Sequence, residues 1–245
     1  MPGEILEIKV HDGPARSGIY AKKETPALLS LNELSSCSDQ PMPYDVPWEL
    51  AQWSVEETLK KAEKCEAEFA VIHGAKYIDL RIKCAQELEA LGHQALIVAN
   101  GDQLMQRPRD LVQLILELRE KLNPNTALCL PFAEAYSLPL LAYMGVDLFL
   151  DSIAEYYAYL NIIMTPGASY PLDQYPLLEL DLEQLIEYNK KTLDLVIREI
   201  VANIKNGTLR NLVEQRSCAS TSTMSTLRIL DKEYSSILEK YTPIH

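Results

Sequence analysis

Basic residues are scarce in this chain: 23 lysines and arginines stand against 35 aspartates and glutamates among 245 residues, a formal charge of −12. A protein that gripped nucleic acid unaided would need a basic surface to neutralise phosphates. The charge argues against that class and leaves only a local basic patch or a basic partner. No run approaches the roughly 18 apolar residues of a membrane span. Met1–Glu7 has neither a positive start nor an apolar stretch, so no secretory signal is expected and the cytoplasm is the expected compartment. Internal repeats and low-complexity tracts are missing as well. Cys37, Cys65, Cys84, Cys129 and Cys218 are odd in number, far apart and without a CxxC pair. That spacing predicts neither a disulfide framework nor a zinc site. Cys65, Cys84 and Cys129 lie among apolar residues and read as buried thiols. No metal and no cofactor is expected.

What is present is an ordinary globular composition, 47% hydrophobic and 24% charged, with enough length for one full core and a small appendage. Ile5–Val10 alternates, His11–Pro14 turns and Ala15–Tyr20 returns, which predicts a β-hairpin within residues 1–34. Residues 35–53 read as a linker, rich in proline and serine at its start. From Ser54 the pattern becomes regular. Ser54 and Glu57 form a capping box for a helix to about Glu68. Phe69–His73, Ala95–Ala99, Thr126–Leu130 and Val146–Leu150 read as apolar strands. Helices are expected over Tyr77–Leu91, from Pro108 to Leu122, and over Ser137–Met144. Apolar strands alternating with helices predict a parallel sheet covered on both faces. That region is assigned to residues 54–180. Residues 181–245 read as a C-terminal helical region, with Gly207 capping its first helix and further helices over Leu209–Arg216 and Thr226–Tyr241.

In such folds, carboxylates at the carboxyl ends of strands face the ligand crevice, which singles out Asp147 and Asp151. The order of motifs resembles the tRNA-guanine transglycosylase family, most closely the transglycosylase-like region of archaeosine synthase. Glu7–Gly18 with Glu24–Ala27 is similar to the family's opening "DG-x-AR-x-G … TPA". Val71–Arg81 resembles "V-Q-G-[GS]-x-Y-x-D-L-R", and Gly145–Ser152 resembles "G-V-D-L-F-D-[SD]". Ile97–Gly101, Pro108–Arg109, Leu118–Glu120 and Asn123–Asn125 resemble the archaeosine synthase branch. Asn189 and Asn206–Glu214 look like the family's late helices.

The resemblance implies a (β/α)8 barrel that exchanges a tRNA guanine for a 7-deazaguanine base, with one aspartate as nucleophile and another as general acid/base. It also implies a base-binding set of His73, Gly74, Asn100, Gly101 and Met144. Four departures qualify it. Only four strands are legible where a closed barrel needs eight, and the family's "D-S-G-G-F-Q" motif is absent. His73 replaces the base-reading glutamine. Aligned without a gap, the nucleophile falls on Leu150; one inserted residue would put Asp151 there, but an insertion in a strand reverses the face of the next side chain. The zinc cluster of three cysteines and a histidine has no counterpart, and neither the "P-C-x-x-K-P" signature nor a PUA domain occurs in these residues.

Simpler roles stand beside these. Asp147 reads as a salt-bridge or cap, His73 as a satisfied core histidine, Asp79 and Arg81 as a local pair, and Tyr156, Tyr157 and Tyr159 as packing. The expected fold is therefore α/β, an incomplete (β/α)8 TIM-barrel-like parallel sheet with an N-terminal hairpin and a C-terminal helical region. Two open sheet edges would then favour a homo-oligomer or a complex with a full-length transglycosylase-like protein. Three functions fit: a non-catalytic accessory in archaeosine or queuosine modification, reaching tRNA through a partner and binding a 7-deazaguanine-type base; an active enzyme using Asp151 with Asp147 beside it; or a small-metabolite binding domain unrelated to tRNA.

Overall fold

The N-terminal alternation produces the hairpin foreseen. In a computed structural model, which describes residues 5–241, β1 (Glu7–Asp12) and β2 (Ala15–Tyr20) pair antiparallel, and β3 (Lys23–Thr25) adds a third strand. Met1–Glu4, where the signal-peptide reading begins, lies outside the described residues.

Directly after Pro26 comes a strand that the sequence pattern does not announce, β4 (Ala27–Leu29). The chain then runs through α1 (Trp48–Ala62), β5 (Phe69–Ile72), α2 (Ile78–Ala90), β6 (Ala95–Val98), α3 (Gly101–Met105), α4 (Pro108–Lys121), β7 (Ala127–Leu130), α5 (Leu138–Tyr143) and β8 (Leu148–Leu150). Helix α6 (Ser152–Tyr159), the hairpin β9 (Ile162–Met164) and β10 (Ser169–Pro171), and helices α7 (Leu182–Asn206), α8 (Leu209–Ser217), α9 (Thr221–Glu233) and α10 (Ser235–Tyr241) complete it. The last predicted helix thus starts earlier than expected and is broken in two.

Five parallel strands, not four, form the central sheet, in the order β4-β8-β7-β6-β5. The first strand lies beside the last and the others follow in sequence, the neighbour relation of a closed (β/α) ring. The two faces of the sheet differ. Ala27, Leu29, Phe69, Ala95, Ile97, Ala127, Cys129, Leu148 and Leu150 share one apolar cluster, which Leu6, Tyr20 and Leu34 complete. The alternate residues Ala70, Ile72, Leu96, Val98, Leu128, Leu130 and Phe149 pack in the main core, which takes in side chains of α1, α2, α4, α5 and α7. Helices thus cover one face, and the other is filled by its own side chains and the N-terminal segments. This is a partial TIM-barrel-like α/β fold. The C-terminal helices contribute Leu209, Leu212, Leu227 and Leu230 to the same core.

One edge of the sheet is closed by the connector. The Cys37 amide donates to the Phe69 carbonyl at 2.8 Å, and the Phe69 amide donates to the Ser35 carbonyl at 2.9 Å. Residues 35–47 hold no helix or strand, yet Cys37 and Tyr44 are buried. Cys37 is disulfide-bonded to Cys65 across a sequence separation of 28. This corrects the expectation of unpaired cysteines. The pairing follows from the connector lying along β5, a long-range placement that cysteine spacing alone cannot reveal. Helix α1 likewise begins at Trp48, after Pro47, and not at Ser54. Ser54 is buried within it and donates its hydroxyl to the Gln40 carbonyl.

The N-terminal sheet is fastened to the parallel sheet by Arg16. Its Nε donates to Asp147 Oδ1 at 2.7 Å and its Nη2 to Oδ2 at 2.8 Å. The same guanidinium reaches the carbonyls of Pro124 and Thr126. Asp147 has no exposed surface; it also accepts from the Leu128 amide at 2.9 Å and faces Arg119 Nη2 at 3.6 Å. Removing one partner of a buried ion pair strands the other charge, so Arg16→Met is expected to lower the unfolding free energy by about 3–5 kcal/mol. Urea denaturation checks this. Reducing the Cys37–Cys65 bond, or Cys37→Ser, is expected to cost about 3–4 kcal/mol through released loop entropy, measurable with and without a thiol reductant.

Candidate functional site

The carboxyl ends of the five strands gather the loops that would carry chemistry in a barrel of this kind. Val71 pairs with Ile97, Ile97 with Cys129, Cys129 with Leu148 and Leu148 with Ala27. Two residues further along, that row becomes His73, Ala99, Pro131, Leu150 and Leu29. His73 and Leu150 are therefore level with one another at the mouth of the concave face.

His73 is buried, and its Nε2 lies 2.7 Å from Asp39 Oδ2. Its Nδ1 has no hydrogen-bond partner among the described residues. Asp39 belongs to the connector, which folds over the strand tips. Lys61 Nζ fixes it there by donating to the Asp39 carbonyl and to Gln40 Oε1. The hydrogen bond with His73 holds the Asp39 carboxyl below its ordinary range, although partial burial opposes it.

The neighbouring corner is organised by Arg81, at 1% exposure. Its Nε donates to the Ala75 carbonyl at 2.6 Å, Nη1 to the Ala99 carbonyl at 2.9 Å and Nη2 to Asn100 Oδ1 at 2.9 Å. Burial pushes the guanidinium down to about 10. It does not pair with Asp79, as the sequence suggested, because these carbonyls already claim its donors. Asn100, in the left-handed conformation at φ 57°, spends its amide nitrogen on the Met42 carbonyl. Gly74 is needed for close approach: at φ 145° a Cβ there would stand 2.6 Å from the Arg81 nitrogen. Gly101 has a similar constraint, a Cβ meeting the Pro131 carbonyl oxygen at 2.5 Å.

His73, Gly74, Asn100 and Gly101 thus share one corner, under the connector. Met144 does not join them; it is fully buried in the helix-side core ahead of β8. Asp147 and Asp151 are also apart, since Asp147 precedes β8 and Asp151 follows it. Asp147 and Asp151 therefore do not form a carboxylate pair in contact at the strand tips. Leu150 faces inward with Leu29. Asp151 sits at the start of α6, its amide donating to the Leu29 carbonyl and its carboxylate 4.0 Å from Lys190 Nζ. Asn189 holds the following hairpin: its Oδ1 accepts from the Met164 amide at 2.7 Å, and its Nδ2 donates to the Ile162 carbonyl at 3.0 Å. Tyr157 packs against the main core as expected, whereas Tyr159 is exposed and Tyr156 is exposed with its ring tilted against Tyr157 at 6.0 Å. Among the described residues no three His, Cys, Asp or Glu side chains gather as a metal site requires.

Asp39 and Tyr44 were not foreseen. Both lie in the connector, whose composition announces only irregular backbone, and no motif marks them. Tyr44 receives Arg107 over its ring at 4.7 Å and donates its hydroxyl to Asp110 Oδ2 at 2.6 Å.

The sequence model of the family described as queuine tRNA-ribosyltransferase, TGT, matches residues 33–192. The chain belongs to this family. An archaeosine synthase of Methanocaldococcus jannaschii is 33% identical over 60% of the chain and 23% of its own length. An archaeosine synthase subunit alpha of Thermoplasma acidophilum is 25% identical, over 61% of the chain and 28% of its own length. A tRNA-guanine(15) transglycosylase of Pyrobaculum aerophilum is 26% identical over 84% of the chain and 48% of its own. The chain therefore spans between about a quarter and a half of these relatives. The TGT match runs from the connector into α7, so it includes β5–β8 with their tips and leaves out the N-terminal sheet and β4.

The Asp39–His73 contact predicts a pH signature. A depressed carboxylate contributes stability above its unfolded value and loses that contribution as pH falls through the folded one. The stability difference between wild type and Asp39→Asn is expected to hold near neutrality and to shrink as pH drops below 3.8. Urea midpoints measured across that range check it.

Proposed function

We propose that this TGT-family chain serves 7-deazaguanine modification of tRNA as a non-catalytic member, working beside a partner that performs the base exchange. The observation that carries this reading is Leu150. It stands with Leu29 at the inner mouth, where an attacking carboxylate would have to be, and an alkyl side chain offers no nucleophile. Asp151 is the nearest substitute, but it opens α6 and lies toward Lys190. Membership of the family supports the substrate class, and the net charge of −12 supports reaching tRNA through a partner.

Two surfaces support a partner. At the β4 edge, a groove of about 530 Å³ opens against α7, with Leu28, Ile197 and Val201 as its apolar lining and Lys23, Arg198 and Lys205 among its charged residues. An edge strand beside an apolar groove is suited to receive a further strand, from a second copy or a longer family member. The end of α6 and the segment after it expose Tyr159, Leu160, Tyr175, Leu177 and Leu178. A cluster of that kind is a common mark of an interaction surface.

Incubation with unmodified tRNA and labelled guanine is expected to give neither incorporation nor a covalent tRNA adduct. The tagged chain is expected to co-purify with a tRNA or a transglycosylase from its host. Incorporation that disappears in Asp151→Asn would instead make the chain a working enzyme. A monodisperse monomer by light scattering that captures neither partner would remove the accessory role.

A further inference from the structure

Beside the strand tips, and distinct from the corner of His73 and Asn100, lies a cavity of about 270 Å³. The loop after β7, helices α3 and α6, and the start of α9 build its walls. Four aromatic residues line it, Phe132, Tyr136, Tyr156 and Tyr157, together with the carboxylates of Asp102 and Glu134. No lysine or arginine takes part.

The rings are set at angles to one another. Tyr156 and Tyr157 stand with centroids 6.0 Å apart and planes tilted by 47°, so they form a corner and not a stack. Phe132 holds φ at 64°, in the left-handed region that a bulky side chain rarely adopts, and stays 47% exposed. Strain and the exposure of an apolar ring both oppose folding, and such outliers collect at ligand clamps.

The charge in the cavity is of one sign. Glu134 accepts from the Tyr136 hydroxyl at 3.0 Å and from Ser169 Oγ at 2.6 Å, and Tyr157 bonds to it too. Asp102 accepts from Gln103 Nε2 at 2.5 Å. Among the described residues these partners are neutral, so neither carboxylate has its charge balanced by a protein cation. Opposite them, Ser220 caps α9 by accepting from the Thr223 amide at 3.1 Å. A helix start carries about half a positive charge, which two whole carboxylates outweigh. The cavity therefore disfavours anions and favours a cation.

The walls also say what kind of cation. A divalent metal needs several oxygen or nitrogen ligands, and among the described residues no three His, Cys, Asp or Glu side chains gather. A primary ammonium brings three N–H donors, whereas Glu134 already accepts from three hydroxyls. Its remaining contribution is charge. A methylated ammonium has few or no N–H groups to satisfy, spreads its charge over its methyls and is attracted by the negative faces of aromatic rings.

We propose that this cavity binds a methylated ammonium group, with the rings of Phe132, Tyr156 and Tyr157 around its methyls and with Glu134 and Asp102 balancing its charge. The volume lies just below the range of drug-sized ligands and suits a cation of the size of choline. The site stands on the cavity alone and holds whether or not the chain acts on tRNA.

The test is calorimetry and ligand-observed NMR on the full chain with tetramethylammonium and choline, against the neutral isostere of choline in which carbon replaces the nitrogen. Both cations are expected to bind, and the isostere to bind at least about tenfold more weakly. Tyr156→Leu removes an exposed ring, and Glu134→Gln removes a charge while keeping an oxygen for the hydroxyls. Each, checked for folding by circular dichroism, is expected to weaken choline binding by about tenfold. A short peptide carrying trimethyllysine identifies the source: tighter binding of choline supports a free small molecule, and tighter binding of the peptide supports a modified partner chain. No binding of any of these cations, equal binding of the neutral isostere, or wild-type affinity in both folded variants would each overturn the proposal.

Discussion

The two-pronged contact between Arg16 and Asp147 is the constraint on which the rest of the structure depends. It joins an antiparallel N-terminal sheet to the base of a parallel one, through two charges almost wholly removed from water. Such a pair is tolerated only if every remaining donor and acceptor is met. The carbonyls of Pro124 and Thr126 and the amide of Leu128 meet them here. The arginine and the aspartate each belong to a stretch that resembles a family motif. Their first duty in this chain is architectural, since they hold the plug formed by Leu6 and Tyr20 against the concave face.

That plug changes what the mouth of the barrel can be. A ring with strands missing would expose its interior on one side. This chain fills the opening from three directions: the N-terminal sheet below, Leu34 at the side and the connector above. The connector spends Asp39 on His73 Nε2 and Met42 on Asn100, so these two groups are engaged within the protein, while His73 Nδ1 has no partner among the described residues. Polar side chains at strand tips can outlast the chemistry of a fold because they also settle buried backbone groups. Arg81 does so with two backbone carbonyls at once, and also holds the Asn100 side chain.

Much of this was legible in the sequence, for definite reasons. Phe69–Ile72, Ala95–Val98 and Ala127–Leu130 are apolar throughout, and a strand buried on both faces has that composition. Gly207 is in the left-handed conformation that the end of α7 requires, at φ 66°. Ala27–Leu29 escaped notice because three residues between a proline and a polar connector carry no periodicity; only pairing with Leu148–Leu150 makes them a strand. The cysteine bridge and the Asp39–His73 contact escaped for a related reason. Both depend on where the connector lies, and the proline and serine residues that make it irregular say nothing of its destination. The bland alternative for Asp147, a salt bridge, describes its contacts well; that for His73, a satisfied histidine, holds for Nε2 and not for Nδ1. The opposite held for Tyr156, whose exposure no local pattern foretold.

The adjacency of β4 and β8 has a consequence for the nascent polypeptide. The third residue of β4 is Leu29, and the strand that it must lie against ends at Leu150. During synthesis β4 leaves the ribosome with no strand to pair with until β8 has followed. Contacts so distant along the chain form slowly, since loop-closure entropy must be overcome before they contribute. That strand therefore waits unpaired, and the chain matures by wrapping its beginning around its middle.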